Sequence, residues 1–212
     1  MAKTASKHRP SARAVDTRRA LIDAAKDVLR HDGFSAATAR TIASRAGCNQ
    51  GLVFYHFGSV MNLLLAALDD VSKERSERYS AALAEVRTPS ELVELATRVF
   101  REDLDSGDAA LLVEMIAGAS STPGLGSEVM ARVEPWTAFA ESALETVVKD
   151  SPIATVVPTR EIAHAVVALY LGLELLSHLD GNRDQALALF SRASQLASVA
   201  DLISGVSHDP QS

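Results

Sequence analysis

Apolar residues recur along most of the chain at intervals of three and four positions, which is the period of one face of an α-helix. Leu21, Ala25, Val28 and Leu29 share such a face, and Gly33 follows it as a stop signal. Runs that alternate apolar and polar residues, the pattern of a half-buried strand, are missing from the sequence. The pattern therefore predicts an all-α protein of about nine helices.

Capping residues mark where several of these helices begin. Thr38, Asn49 and Ser59 each precede a predicted helix and carry a side-chain oxygen that can accept a hydrogen bond from its first turn. The segment from Thr88 to Glu91 reads Thr-Pro-Ser-Glu, a capping box with proline at the first helical position. These signals fix the starts of helices near residues 39, 50, 60 and 89.

Residues 38–57 are predicted to form two short helices joined by a turn that contains Gly47. This spacing is typical of a helix-turn-helix, whose second helix enters the major groove of DNA. One side of the motif supplies inward apolar contacts, from Ile42, Ala43, Ala46, Val53 and Phe57. The second helix also leaves apolar and aromatic residues facing outward, which indicates a surface that meets a partner.

Charge is distributed unequally along the 212 residues, which carry a net charge of −6. Residues 1–68 hold ten Lys and Arg against four Asp, a net +6, so the remainder holds eleven basic and 23 acidic residues, a net −12. The split favours a polyanion-binding segment joined to an acidic body. A basic tail on an ordinary acidic domain fits the same split.

The helix-turn-helix segment has a recognisable order. The pair Gly33-Phe34 comes first, followed by the helix that Thr38 caps, with its Ile-Ala core, and by the pair Ala46-Gly47. A polar capping residue, an aromatic-x-His-Phe group at 54–57 and a long helix capped by a serine come next. In this it resembles the DNA-binding domain of TetR-family transcriptional regulators, from about Thr17 to Leu68. The family commonly has Lys where this chain has Gln50 and Val60.

The resemblance implies contacts with double-stranded operator DNA. Threonine, arginine and histidine side chains would hold phosphates, Tyr55 would do so through its hydroxyl, Gln50 and Leu52 would face base edges, and Gly51 would permit close approach. The predicted DNA-contacting residues are Thr38, Arg40, Thr41, Arg45, Asn49, Gln50, Gly51, Leu52, Phe54, Tyr55 and His56. Our hypothesis is that basic residues within 1–13 supply some of the positive charge for DNA that lysines at positions 50 and 60 supply in the family.

Domain organisation follows from the same signals. We expect a disordered basic arm over 1–13, a TetR-type helix-turn-helix domain over 14–68 with its motif at 38–57, a helical ligand-binding and dimerisation domain over 69–206, and a disordered tail over 207–212. The last two helices, predicted over 159–179 and 182–204, are apolar around much of their circumference, so each needs cover on two sides.

The resemblance implies that this cover is a second copy of the chain, in a four-helix interface. The predicted homodimer residues are Ile162, Val166, Leu169, Leu173, Leu176, Leu187, Phe190 and Leu196. A small-molecule effector would bind inside the body, and its candidate contacts are Phe100, Leu104, Met115, Trp136, Phe139, Tyr170, Glu174 and His178. Glu174 stands out because an acid within an apolar run must be paired, neutral or exposed.

An enzyme is the main alternative class, and the sequence does not favour it. The single Cys48 lies in the turn before the second short helix and is interpreted as a small buried apolar residue. The six histidines show no metal-ligand spacing, and we expect no cofactor, metal or catalytic residue. The acid pairs Asp69-Asp70 and Asp103/Asp105 are interpreted as solvated helix faces.

The sequence therefore predicts a regulator of transcription, and the resemblance favours a repressor that a small molecule releases from a palindromic operator. Two alternatives stay open: a DNA-binding regulator with no ligand or under the control of a protein partner, and an activator. The lone cysteine fits a reducing cytoplasm. The apolar window over 163–179 is interrupted by three polar residues and is interpreted as a buried core helix, with no membrane partner expected.

Overall fold

A computed structural model describes residues 12–149, 157–181 and 183–204. Across these ranges the chain forms nine α-helices, one turn of 3₁₀ helix at Phe34–Ala36 and no strand, which confirms the predicted all-α class. The helices are α1 (Ala12–His31), α2 (Ala39–Arg45), α3 (Gly51–Phe57), α4 (Val60–Glu85), α5 (Pro89–Ser106), α6 (Asp108–Ala119), α7 (Leu125–Val148), α8 (Thr159–Asp180) and α9 (Asp184–Ser204).

Two predicted segments fall largely or wholly outside the described residues. The basic arm over 1–13 lies outside them except for Ala12 and Arg13, which begin α1. The tail over 207–212 lies wholly outside. Both remain predictions.

Contacts along the backbone divide the chain into two compact units, Met1–Asp70 and Val71–Ser212. The first unit buries one apolar side chain or more from each of its four α-helices. Fully buried examples are Leu21 and Val28 of α1, Ile42 of α2, Val53 of α3 and Leu63 of α4. Because α2 and α3 have seven residues each, they depend on this shared core rather than on their own helix propensity.

The second unit has a separate core in which α6 is the most deeply buried helix. Leu111 and Met115 of α6 are completely shielded from solvent, and so are Phe100 of α5 and, almost completely, Leu125 of α7. The start of α5 is fixed by the predicted capping box: the Glu91 amide donates to Thr88 Oγ1 over 3.2 Å, and the Thr88 amide donates to Glu91 Oε2 over 3.1 Å.

α8 is less buried in a single chain than the interpretation of residues 163–179 as a core helix implies, and α9 is likewise covered on one side. α8 packs against α6 and α7, and α9 packs against α5. Their other sides are uncovered in a single chain: Leu176 and Leu179 of α8 are 59% and 72% exposed, and Leu196 and Leu202 of α9 are 73% and 77% exposed. The sequence showed that α8 is apolar nearly all round, but one chain covers only one of its sides.

The same helix has the length and composition of a membrane span. The segment Thr159–Leu179 has a mean hydropathy of 1.6, and 17% of its most apolar stretch is buried. Core helices of water-soluble proteins have the same length and composition.

An ion-pair cluster holds α1 against α4 in the first unit. The Asp70 carboxylate pairs with the ammonium of Lys26, which is 5% exposed, and accepts a hydrogen bond of 2.9 Å from Arg19 Nη1. Asp70 is therefore not the solvated acid that the sequence predicted. Burial by itself raises the pKa of Asp70, but the hydrogen bonds and positive charges of Lys26 and Arg19 outweigh burial and lower it.

Replacing Asp70 with Asn leaves the buried Lys26 ammonium without its counter-ion, so we expect Asp70→Asn to lower the free energy of unfolding by about 3 kcal/mol. Because the pKa of Asp70 is lowered on folding, its stabilisation is present above the unfolded pKa near 4 and is lost as pH falls through the folded value. The variant should therefore lose less stability on acidification. Chemical denaturation across this pH range tests both effects, with the exposed Asp16→Asn on α1 as control. Equal stability of the two variants at neutral pH would contradict the expectation.

Candidate DNA-binding and effector sites

The first helix of the predicted motif starts at a threonine cap. Thr38 Oγ1 accepts a hydrogen bond of 3.1 Å from the Thr41 amide, and the two hydroxyl oxygens are 2.8 Å apart. Both residues thus have a structural task in addition to the phosphate contact predicted for them. A side-chain acceptor at this position forms a hydrogen bond with one of the backbone amides that the start of a helix leaves unpaired.

The turn between α2 and α3 is built on Gly47 and Asn49. Gly47 has φ +66°, a left-handed conformation that side chains rarely adopt, and the Cys48 amide donates to the Ala43 carbonyl over 2.9 Å. Asn49 Oδ1 accepts from the Gly51 amide over 2.8 Å. α3 starts at Gly51, so Gln50 rather than the predicted Asn49 occupies the N-cap position, and Asn49 pairs with the first amide of the helix from one residue further back.

Gly51 has an internal reason to be glycine. A Cβ atom at this position would lie 3.2 Å from Asn49 Oδ1, a distance tighter than nearly all such contacts. The sequence suggested only that glycine lets this end of the helix approach a surface closely. The structure adds that glycine leaves room for the Asn49 side chain at the start of α3.

The exposed side of α3 carries most of the predicted DNA contacts. Val53 is fully buried, whereas Tyr55 is 79% and Phe54 is 51% exposed. Gln50 and Gly51 are exposed as well. Leu52 and His56 are half-buried at the edges of this surface, and the His56 ring meets the Tyr55 ring edge to face at 4.9 Å. The helix therefore presents a polar residue, a glycine and two aromatic rings to the outside.

The two arginines of α2 have different surroundings. Arg40 is exposed beside Thr41. Arg45 forms ion pairs with Asp32 at 2.7 Å and with Asp27 at 3.2 Å, so its guanidinium ties α2 to the end of α1 and the residues after it. The Arg45 guanidinium is therefore engaged within the first unit, which does not favour a direct contact with DNA.

Cys48 has the surroundings of a structural thiol. It is half-buried in the turn, and burial raises the pKa of its thiol. An activated nucleophile needs the opposite shift, because the thiolate is the reactive form. Among the described residues, no group of three or more His, Cys, Asp or Glu is placed to hold a metal ion.

The second unit contains a buried polar cluster that the sequence did not predict. The Asp103 carboxylate of α5 accepts hydrogen bonds from Arg75 of α4 and from the Tyr170 hydroxyl of α8, and only 1% of Asp103 is exposed. Its prediction as a solvated acid is wrong. Asp105, by contrast, lies at the surface and pairs with Arg183 at 2.7 Å.

Four of the predicted effector residues lie around this cluster. Tyr170 is part of it, Glu174 lies one turn further along α8, the Phe100 ring meets the Tyr170 ring at 5.6 Å, and Trp136 faces the Arg75 guanidinium, whose Cζ is 4.6 Å from the ring centroid. Of the others, Phe139 contacts Trp136 with ring centroids 6.0 Å apart, Met115 is fully buried, Leu104 is half-buried and His178 is exposed.

The predicted dimer residues divide in a similar way. Val166, Leu169, Leu176 and Leu196 are exposed, and Ile162, Leu173 and Leu187 are half-buried. Phe190 is half-buried as well, and its ring packs against Phe100 of its own chain with ring centroids 4.9 Å apart. Five other exposed apolar residues on the same helices were not among those predicted from the sequence, and these are Leu175, Leu179, Leu189, Val199 and Leu202. Their apolar character was visible, but which side of α8 and α9 the chain covers was not.

The first unit thus has the architecture of a helix-turn-helix protein, with a capped α2, a glycine turn and an exposed α3. The sequence profile described as "Bacterial regulatory proteins, tetR family" matches residues 21–67. BetI of Cronobacter sakazakii is 30% identical over 169 residues, which are 77% of this chain and 80% of that protein. The chain belongs to the tetR family of transcriptional regulators.

Other relatives match less of the chain. CymR of Pseudomonas putida is 28% identical over 58% of this chain and 60% of its own length, and the chain covers only 43% of BetI of Rhizobium meliloti. The regulator FadR from Bacillus subtilis, solved in complex with stearoyl-CoA, superimposes with a TM-score of 0.72 at 16% identity over 90% of this chain and 99% of that one. That likeness extends the fold assignment across both units. The matched relatives are regulators, which agrees with the expectation that this chain is not an enzyme.

A side chain at position 47 should strain the turn of the motif. Since a Cβ at Gly47 meets nothing within 4 Å, the effect of Gly47→Ala comes from the positive φ alone and should lower the free energy of unfolding by about 1 kcal/mol. Gly47→Asn should lower it less, because Asn tolerates this conformation better. Denaturation followed by circular dichroism measures both.

The matched control for this prediction is Gly126→Ala. Gly126 also has open space around its Cβ position but lies in α7 without a positive φ, so alanine there should leave stability unchanged or raise it. If the two alanine variants were equally stable relative to the parent chain, strain at Gly47 would not be the cause.

Proposed function

We propose that this chain is a homodimeric repressor that binds a palindromic operator through α2 and α3, and that a small molecule bound in its second unit releases it from DNA. The observation that carries the proposal is the exposed face of α3, where Tyr55 and Phe54 are left uncovered on a helix of seven residues. An exposed aromatic surface on so short a helix is unfavourable in water unless another molecule covers it.

Polar groups next to this face suit a nucleic acid. Gln50 is exposed before the first turn of α3, where its amide can pair with the donor and acceptor that adenine presents in the major groove. Arg40 and Thr41 lie on α2, and His56 lies at the far end of α3, so phosphate-binding groups flank the aromatic rings. The excess of basic residues within 1–68 also supports binding to a nucleic acid.

The proposed dimer rests on the uncovered sides of α8 and α9. Val166, Leu169 and Leu176 follow one another at helical spacing on α8, and each is at least 45% exposed. Leu196 and Val199 form the corresponding side of α9. Two copies of these helices would cover each other in a four-helix interface, and a two-fold dimer matches a palindromic operator.

The proposed effector site rests on the polar cluster around Asp103, which brings aromatic and charged side chains together inside the second unit. Among structures with the same fold, FadR from Bacillus subtilis holds stearoyl-CoA. That ligand belongs to FadR, and here it supports only the idea that a body of this architecture accommodates an effector.

Two substitutions should separate the roles of the DNA-contacting residues. Arg40→Ala should weaken binding to all DNA sequences and reduce the slope of log affinity against log salt by about 1, because one phosphate contact is lost. Gln50→Ala should weaken binding to the operator by about 1–3 kcal/mol and leave binding to unrelated DNA nearly unchanged. Fluorescence anisotropy at several salt concentrations, with DNA from upstream of the gene and a scrambled duplex, measures both.

The matched control for Arg40→Ala is Arg98→Ala, which removes an exposed arginine from α5 in the second unit. It should change neither the affinity nor the salt slope. If the parent protein shows no preference for any upstream duplex over the scrambled one, the proposal of sequence-specific binding is wrong.

A charge on the uncovered side of α9 should dissociate the dimer. Leu196→Glu places a carboxylate where the second copy would bury a leucine, so we expect a monomer by size-exclusion chromatography with light scattering, and weaker operator binding. Gln195→Glu adds the same charge at the neighbouring exposed position and should stay dimeric. A dimeric Leu196→Glu variant, or a monomeric parent protein, would contradict the proposed interface.

A further inference from the structure

The polar cluster of the second unit joins three helices through Arg75, Asp103, Tyr170 and Glu174, and we refer to these four residues as the acidic cluster. Arg75 comes from α4, Asp103 from α5, and Tyr170 and Glu174 from α8. Arg75 Nη2 donates to Asp103 Oδ2, the Tyr170 hydroxyl donates to the same oxygen, and Arg75 Nη2 lies 3.3 Å from the Tyr170 oxygen.

Carboxylates outnumber cations within the acidic cluster. Asp103 is 1% exposed, Glu174 is 5% exposed, and Arg75 is the cation that faces them. Since Arg75 is hydrogen-bonded to Asp103, Glu174 is the carboxyl group in excess. Burial of an unpaired carboxylate is strongly unfavourable, so either a proton or a further cation is needed beside it.

Two oxygens of the acidic cluster lack a hydrogen-bond partner among the described residues. They are Asp103 Oδ1, on the side of the carboxylate away from the bonds already made, and Glu174 Oε1. Both are shielded from solvent. Buried acceptors in folded proteins are almost always paired, and an unpaired one costs about 1–3 kcal/mol. These two oxygens therefore require donors, and Arg75 Nε, which is also buried without a partner among the described residues, requires an acceptor.

Aromatic rings surround these acceptors. The Arg75 guanidinium carbon is 4.6 Å from the centroid of the Trp136 ring and 5.9 Å from that of Tyr170, and the Phe100 ring lies edge to face with Tyr170. Such rings favour positively charged and flat apolar groups. The surroundings suit a molecule that has an apolar part and a cationic end.

We propose that the effector carries a protonated amine or a guanidinium group, and that Glu174 and Asp103 bind its N–H donors through the two unpaired oxygens. The proposal rests on the proposed function of the second unit as an effector-binding body. A quaternary ammonium group fits less well because it has no N–H to donate. An anionic group would meet two carboxyl groups, and the Arg75 charge is already engaged by Asp103.

Proton binding by Glu174 provides a second readout. Burial, together with the charge of Asp103, raises the pKa of Glu174 to about 7, although Arg75, Tyr170 and the more distant Arg183 act in the opposite direction. Below pH 7 the free site holds a proton on Glu174, and a bound cation replaces it. Affinity for the amine should therefore weaken as pH falls, by up to tenfold per pH unit, with release of one proton.

The experiment compares ligands that share one octyl chain but differ in their end group. Octylamine, octylguanidine, octyltrimethylammonium and octanoate, together with stearoyl-CoA, are titrated into the full-length protein by isothermal calorimetry at pH 6 and pH 8. We expect the amine or the guanidine to bind, the trimethylammonium compound to bind at least tenfold more weakly, and the two anions not to bind. At pH 6 the binding enthalpy should vary with the ionisation enthalpy of the buffer, and at pH 8 it should not.

The decisive variant is Glu174→Gln, which keeps the shape of the side chain but removes its charge. It should weaken amine binding by tenfold or more and abolish the dependence on buffer at pH 6. Glu161→Gln removes an exposed carboxylate from the same helix and should bind the amine like the parent protein. Retained operator binding by both variants shows that they are folded.

Three outcomes would overturn the proposal: no binding of either N–H cation to the parent protein, equal binding by the trimethylammonium compound, or unchanged amine binding by Glu174→Gln. Binding of stearoyl-CoA alone would also overturn it and would leave the proposed effector function standing. Amine binding with no effect on an otherwise specific protein–operator complex would support the cation site and contradict its role as the effector site.

Discussion

The buried ion pair between Arg75 and Asp103 is the interaction on which the second unit depends. It connects α4 to α5 directly, reaches α8 through the Tyr170 hydroxyl, and reaches α7 because the Trp136 ring lies against the same guanidinium. Removal of either partner would leave a charge in an interior from which solvent is almost excluded. A hydrogen-bonded charge pair adds directional contacts between these helices to the apolar packing around it.

The first unit is under a different constraint, because two of its helices have only seven residues. Helices of this length are not stable in isolation. Thr38 caps the first, the Asn49 side chain pairs with the first amide of the second, and Gly47 provides the left-handed turn between them. These local hydrogen bonds pair backbone amides at the helix starts, and Ile42 and Val53 are buried on the inner sides of the two helices. The outer side of α3 therefore makes no contribution to the core and can carry residues that contact a partner.

Local features of the fold were predictable from the sequence because they depend on residues close together in the chain. The Thr38 and Thr88 caps and the hydrogen bond between the Asn49 side chain and the start of α3 were all expected, and each joins atoms two or three residues apart. One acid of each predicted surface pair was assigned wrongly, for the opposite reason. Asp70 and Asp103 look like surface residues in the sequence, but their partners Lys26 and Arg75 lie on other helices, and no local pattern reveals that pairing.

By itself, the sequence determined the helical class, the helix-turn-helix motif and the outward face of α3, because helical period, capping chemistry and turn geometry are local properties. Only the tertiary structure decided which charges are buried and which sides of α8 and α9 stay uncovered. An amphipathic pattern shows that a residue needs cover, but the identity of the covering helix depends on how distant segments pack. For that reason the sequence did not decide whether Glu174 is paired, neutral or exposed. Only the tertiary structure shows that Glu174 is buried near Asp103 with an unpaired oxygen.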